Sequence, residues 1–348
     1  MNGIRYISNE FLLARTEKAS LWYRKGKVTV RKTDGSTVAH QLHKGWRTLR
    51  LAERMLRLSP RTGVGLDNGD FLFSDHGKIR CLKYPDYALS TEHAFSRGMN
   101  NPLTFCVRRD ETGKIADILY GEYIWNSDHG PVSIYRRENG DWREVYAFPA
   151  GAITHIHNIV HDRFLNRYLI MTGDGDAESG IWEADYEFRE VRPVKTGSQA
   201  YRACVMLPTA DGIYYATDTP LEQNSVCRIS GDHEAEKIAE IAGPVIFGTE
   251  RNGDLYFATS VEGDSRLKKW SYRLSYRLGT GVKDRYSHLY RLSTDGTVKE
   301  LGKIKKDILP MWLFEFGNMK FSSTDDGRVY ICPQSLRGRN GTYVLDNE

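Results

Sequence analysis

No stretch of this sequence approaches the roughly 18 consecutive apolar residues of a membrane-crossing helix, so no integral membrane segment is expected. Charge of one sign is equally scarce: Lys plus Arg number 49 against 45 Asp plus Glu, a balance of +4 over 348 residues. So small an excess gives no reason to expect nucleic acid as a partner. Cysteines are few and odd in number, 5 in all at Cys81, Cys106, Cys204, Cys227 and Cys332, with no pair at metal-ligand spacing. Their mostly apolar flanks predict buried, reduced thiols on strands rather than a disulfide frame. Long runs rich in Ala, Leu, Glu and Lys are missing, which argues against a helical bundle. The N-terminus lacks a basic start followed by an apolar stretch. Cytoplasm is therefore the default expectation, with periplasm or export if a leader has been removed.

What the chain does have is Gly, 32 residues, and aromatics, with Tyr 20, Phe 13 and Trp 7. That composition suits many short strands joined by tight turns. A module of roughly 40–50 residues recurs: an apolar strand, a Gly/Asp turn, then a second apolar strand ending in an acid. Residues 102–123, 155–174, 201–218, 244–260 and 319–332 are clear copies, with weaker ones around 11–24 and 70–82. Third and fourth strands follow, the fourth of the 155–174 unit being expected at Phe188-Arg-Glu-Val. The pattern predicts an all-β fold, a β-propeller of four-stranded antiparallel blades over a single domain, residues 1–348. Seven blades follow from counting second strands. Six is the alternative, because residues 44–66 are irregular and the last unit lacks a fourth strand. Ile4-Arg-Tyr-Ile7 is available to complete that last blade.

In a propeller the first strand of each blade lines the channel, and its start shares one face with the end of the second strand. That rule gathers His155, His157, Tyr201 and Arg202 with Glu122, Asp174, Asp218 and Glu262 at one mouth. Carboxylates, imidazoles, a phenol and a guanidinium in one funnel have the composition of an acid–base site. His155 and His157 alternate with Ile156 and Ile159, so both imidazoles are expected on one side of their strand and the isoleucines on the other. The plain structural reading stands beside this one: acids at strand ends cap turns, buried histidines pack with hydrogen bonds, and Arg202 serves an interblade salt bridge. His161 and His288 are expected at the surface.

One loop exceeds the repeat length. Residues 263–286 form an insertion on the mouth face in which Arg266, Lys268, Lys269, Arg273, Arg277, Lys283 and Arg285 alternate with Trp270, Tyr272, Tyr276 and Tyr286. Arg266, Lys269, Trp270, Tyr272 and Arg273 are the residues expected to stack on sugar rings and attract an acidic polymer. The same mixture fits nucleic acid, which the even charge balance argues against, and a peripheral membrane or assembly contact. A second basic stretch, Lys44 to Leu58, reads as an amphipathic connection into the second blade.

At Gly121-Glu122-Tyr123, His155-Ile-His157-Asn158, Thr172-Gly-Asp174, Gln199-Ala-Tyr201-Arg202 and Ala216-Thr-Asp218-Thr219 the chain resembles sialidase-like, BNR-type propellers. It is similar in particular to bacterial propellers of unassigned activity associated with surface-polysaccharide gene clusters. The likeness covers roughly residues 100 to 335 and implies a carbohydrate-linked role. The sialidase Asp box survives only as a shortened trace in Arg137-Glu-Asn-Gly-Asp-Trp142, and no Arg-Ile-Pro start is present. Sialidase activity is therefore not expected. The His, Tyr and Arg set looks instead like the site of propeller polysaccharide lyases. There, an Arg or neighbouring donors neutralise a uronate carboxylate and a Tyr or His removes the C5 proton.

The expected function is cleavage of a glycosidic bond in an acidic bacterial polysaccharide or oligosaccharide at the funnel. Two routes are open: hydrolysis by two of Glu122, Asp174, Asp218 and Glu262, or β-elimination by His155, His157, Tyr201 and Arg202. A non-catalytic propeller that binds glycan or an assembly partner is the alternative. No cofactor is called for, and a metal on His155 or His157 with Asp174 or Asp218 stays open. Two carboxylates roughly 5–10 Å apart would mark hydrolysis. A Tyr–His–Arg cluster beside a basic slot would mark elimination.

Overall fold

The computed structural model describes residues 3–95, 102–231 and 233–346. They form seven sheets of four antiparallel strands arranged as the blades of a β-propeller. Blade one comprises Phe11–Arg15, Ala19–Arg24, Lys27–Lys32 and Thr37–Gln41, and blade two Gly63–Gly65, Phe71–Asp75, Lys78–Lys83 and Ala88–Ala94. Blade three holds Cys106–Arg109, Ile115–Gly121, Val132–Glu138 and Asp141–Phe148; blade four holds Ile156–Asp162, Arg167–Thr172, Gly180–Ala184 and Val191–Thr196. Blade five comprises Ala203–Thr209, Gly212–Thr217, Ser225–Ile229 and Glu236–Glu240; blade six comprises Val245–Arg251, Asp254–Thr259, Tyr286–Leu292 and Val298–Lys305. Blade seven takes Asn318–Phe321, Tyr330–Gln334 and Thr342–Leu345 from the C-terminal end, and Ile4–Ser8 pairs with Thr342–Leu345 as its outermost strand. The count is therefore seven, and the N-terminal strand supplies what the last unit lacks.

Burial explains the strand sequences. A blade is covered on both faces by its neighbours, so second strands such as Phe71–Asp75 and Tyr330–Gln334 are buried throughout and read as continuous runs. Outer strands such as Asp141–Phe148 are half exposed and mix polar with apolar residues. The core lies in layers between blades, for example Leu119, Ile134 and Val132 of blade three against Ile156, Tyr168 and Ile170 of blade four. Turn chemistry matches as well: Asn139 at φ 51° and Gly140 at φ 94° make the two-residue hairpin that joins the outer strands of blade three. The fourth strand of blade four begins at Val191, three residues past the expected Phe188, because Phe188 sits at φ 54° in a turn and drops its ring into the core.

Two insertions stand on the mouth face. The basic stretch after blade one carries the short helix α1, Arg50–Met55, and the insertion in blade six carries α2, Lys269–Leu274. Both pack on the segment that leads into blade seven. From α1, Arg54 donates to the Phe314 carbonyl at 2.6 and 3.0 Å and pairs with Asp307 at 2.7 Å. From α2, Arg273 lies 4.8 Å over the Trp312 ring. At the other end the channel widens into a cavity of about 1740 Å³ that reaches Thr104, Asn158 and Val205.

Candidate functional site at the channel mouth

Four local features bring the site together. A β-bulge falls just after the start of the inner strands of blades one, four, five and six, and in blades four and five the extra residues are His157 and Cys204. Bulges re-aim side chains, and here they turn His157 toward Asp174 and Cys204 toward Asp218. Gly173, at φ 91°, follows the second strand of blade four; a Cβ there would lie 2.2 Å from the Glu178 carbonyl oxygen, so only glycine permits the turn that presents Asp174. A 3₁₀ turn at Gln199–Tyr201 delivers Arg202 to the start of blade five, and the second strand of that blade ends at Thr217, directly before Asp218.

Asp174 is the hub. Its Oδ1 lies 3.3 Å from His157 Nε2, 3.6 Å from His155 Nε2 and 2.8 Å from Arg202 Nη2. Arg202 also donates from Nη1 to the Asp174 carbonyl at 3.1 Å and lies 3.6 Å from Asp218 Oδ2. The Cys204 thiol donates to Asp218 at 3.3 Å. His157 is fixed from behind by Nδ1, 3.0 Å from the Ala203 carbonyl. The rings of His155 and His157 are 4.9 Å apart, and Tyr123 packs on His155 at 4.5 Å. Above Tyr123, the Arg61 guanidinium stands 5.3 Å from the ring.

The charges are pushed apart by their surroundings. Burial raises the Asp174 carboxyl, but the adjacent His155 and His157 rings and the Arg202 charge outweigh it and hold the group well below the usual carboxylate range. Burial pushes Asp218 well up, with Arg202 opposing and Glu262 and Asp174 adding to the rise. Glu262 is raised by burial too, against the Ser260 hydroxyl that donates to it. His157 is pushed down to about 4, burial outweighing the opposing influence of Asp174. Tyr123 is raised by burial and by Asp174, with Arg61 opposing. Across the mouth stand Arg57, Arg61 and Lys320. Burial lowers Arg61 and Lys320, and the charge of Arg57 on Arg61 and of Arg61 on Lys320 adds to it.

The structure thus brings together His155, His157, Asp174, Arg202 and Asp218, with Glu262 on the wall behind Arg202. Glu122 is not among them: its Oε2 accepts from the Ser133 backbone N–H at 2.9 Å, inside blade three. The next residue alternates to the other side, so Tyr123 is the phenol of the site. Tyr201 is turned outward by the 3₁₀ turn and donates to Glu234. Sequence reasoning also passed over Arg61 and Lys320, whose surroundings carry no motif, and read Arg57 only as part of the basic stretch Lys44 to Leu58. His288, expected at the surface, is buried between Asp284 at 3.0 Å and Glu300 at 3.1 Å, because it sits on the third strand of blade six against the fourth.

Within the insertion, Arg266 is held by both oxygens of Asp264 at 2.8 and 2.9 Å, so its charge faces a partner and not the funnel. Tyr272 is half-buried near Trp312, Arg273 lies over Trp270 and Trp312, and Trp270 is 77% exposed. The side chain of Lys269 lies outside the described part. No helix among the described residues is long and apolar enough to cross a membrane.

Neither a protein-family model nor a curated protein matches the chain. Among solved structures, the WD40 β-propeller domain of Doa1 is similar at 12% identity and a TM-score of 0.52, over 99% of this chain and 95% of that one. A structure from a study of two prolyl endopeptidases is similar at 12% identity and a TM-score of 0.53, over 95% of this chain and 46% of that one. These likenesses show the β-propeller fold. They assign no chemistry to the mouth.

Proposed function

We propose that the protein cleaves a glycosidic bond in an acidic polysaccharide at the channel mouth, by β-elimination. The observation that carries this reading is the Tyr123 phenol, packed on His155 and standing under Arg61, in a mouth walled on one side by Arg57, Arg61 and Lys320. Tyr123 makes ring contacts to both histidines and is only half-buried, which leaves it open to a ligand. Elimination breaks the C4–O bond of a uronate and forms a C4=C5 double bond; the C5 hydrogen leaves as a proton, and the departing oxygen gains one. Positive groups around the uronate carboxylate make the C5 proton easier to remove, because they stabilise the charge that develops there. Arg57, Arg61 and Lys320 take that role, and Tyr123 moves the proton.

The acids give less support to hydrolysis. Asp174 is bonded to Arg202 and approached by both histidines, Asp218 accepts from Cys204, Glu122 from Ser133 and Glu262 from Ser260. The sequence resemblance to propellers associated with polysaccharide gene clusters, and the exposed Trp270 at the rim, support a glycan as the ligand.

The test is incubation with a panel of acidic polysaccharides, following the absorbance of unsaturated uronates alongside reducing ends. The expected result is unsaturated product from at least one polymer, and a loss of about 10²–10⁴-fold in rate for Tyr123→Phe with glycan binding retained. Reducing ends without unsaturation would replace elimination by hydrolysis. Binding without any product would leave a glycan-binding propeller.

A further inference from the structure

We propose that His155, His157 and Asp174 are the protein ligands of a divalent transition-metal ion of the Zn²⁺ class at the channel mouth. Three observations carry this, and none depends on the glycan reading.

The first is a conflict of lone pairs. The Ala203 carbonyl can only accept, so His157 Nδ1, 3.0 Å away, carries the ring hydrogen and Nε2 of the neutral ring is bare. That bare nitrogen faces Asp174 Oδ1, also an acceptor, at 3.3 Å. Something positive belongs between them: a second proton on the imidazole, or a cation. A metal ion satisfies both lone pairs together. A backbone carbonyl on the far nitrogen is also the usual support behind a metal-bound histidine.

The second is an orphan. His155 is 5% exposed, yet its Nε2 has no hydrogen-bond partner, lying 3.6 Å from the same Asp174 oxygen. A buried ring nitrogen aimed at a carboxylate without reaching it is costly as it stands and ordinary as a ligand.

The third is spacing. Donors held about 2.0–2.2 Å from one tetrahedral ion lie roughly 3.4 Å from each other. His157 Nε2 and His155 Nε2 lie 3.3 and 3.6 Å from Asp174 Oδ1, and all three donors fall within 4.8 Å of one another. Two imidazoles and one carboxylate suit Zn²⁺ or a similar transition metal; an all-oxygen shell would suit Mg²⁺ or Ca²⁺. The Asp174 side chain is half exposed to the mouth, which leaves a side of the ion open to water or a ligand oxygen. Arg202 positions Asp174 through its carbonyl and carboxylate, and Asp218 and Glu262 stand behind Arg202 to offset its charge.

A competing set, His157 with Cys204 and Asp218, is also close enough. It is wholly buried, its thiol is engaged with Asp218, and it offers no open side. One variant separates the two sets.

Chelator-treated protein is titrated with Zn²⁺ alone, and separately with Co²⁺, followed by calorimetry and by the visible absorption of bound Co²⁺. The expected result is one ion per chain, with binding weakened at least about 100-fold in Asp174→Asn and in His157→Ala, and unchanged within a few-fold in Cys204→Ser. Asp174→Asn is isosteric at a half-exposed position, and its thermal midpoint reports whether it is folded; His155→Gln is the second ligand variant. No uptake beyond that of Asp174→Asn, or binding lost in Cys204→Ser and kept in Asp174→Asn, overturns the assignment. Tyr123→Phe is expected to keep the ion, so failure of the cleavage reading and failure of the metal reading are told apart by separate measurements.

Discussion

At Gly121 the close approach of two blades leaves no room for a methyl group. A Cβ there would come within 2.4 Å of Ile156 Cγ2 and 2.6 Å of Ile156 Cβ. Ile156 lies between His155 and His157, so the fit of Gly121 sets how far both imidazoles reach into the mouth. Gly121→Ala is expected to destabilise the fold by about 1–3 kcal/mol through overpacking, seen as a lower thermal midpoint. It is also expected to weaken Zn²⁺ uptake, although residue 121 touches no ion. At this scale the sequence was legible wherever the repeat dictates position. Asp174 and Asp218 end or follow second strands and Arg202 starts an inner strand, so strand grammar alone brings them together. Tyr123 was hidden by period two: the acid at the strand end drew attention, and the residue beside it faces the funnel. Tyr201 was misplaced because the 3₁₀ turn at Gln199–Tyr201 breaks the alternation that a strand would have kept.

Whole elements divide in the same way. The strands were readable because apolar runs and Gly turns recur with the blade. The insertion was visible only as excess length. Its helix and its anchors depend on contacts made elsewhere in the chain. Asn224, fully buried, is one such anchor: its Oδ1 accepts from Thr217 at 3.1 Å and from the Thr219 N–H at 2.9 Å, while Nδ2 donates to the carbonyls of Thr219 at 2.7 Å and Gly281 at 3.1 Å. Asn224→Ala leaves several of these groups without partners and is expected to cost about 2–4 kcal/mol. Limited proteolysis should then cut within 263–286 sooner than in the parent. Asp264 anchors the other end. Its carboxyl is held down to about 2 by hydrogen bonding to Arg266, with Arg277 adding charge. A depressed carboxyl stabilises fully above its ordinary value of 3.8 and loses that contribution as pH falls through about 2. Asp264→Asn is therefore expected to loosen the insertion at neutral pH, measured by fluorescence of Trp270 and Trp312. The difference from the parent should close only as pH approaches 2.

For the molecule as a whole, the seam between blades seven and one is where the ring closes, with strands from both ends of the chain in the last blade. Blade seven meets blade one through hydrogen bonds as well as apolar packing. The Leu12 N–H donates to Thr342 Oγ1 at 2.8 Å, Thr342 Oγ1 donates to the Glu10 carbonyl at 2.6 Å, and Ser322 Oγ donates to the Leu12 carbonyl at 2.6 Å. Backbone bonds join Arg15 to Ser323 at 3.0 Å and Ser323 to Leu13 at 3.2 Å. Thr342 is fully buried and also sits on the strand that pairs with Ile4–Ser8, so one hydroxyl ties both the seam and the N-terminal strand. Thr342→Val keeps the shape and removes the hydroxyl, leaving a buried N–H and a half-buried carbonyl without that partner. The expected cost is about 1–3 kcal/mol, and each kcal/mol lowers the midpoint of a domain somewhat smaller than this by about 2–4 °C. If closure governs cooperativity, the variant should also broaden the calorimetric transition, as blades seven and one begin to open before the rest. A hydroxyl lost inside a single blade shifts the midpoint without that broadening. A transition as sharp as the parent's, merely displaced, would show that the interblade layers and not the seam hold the ring together.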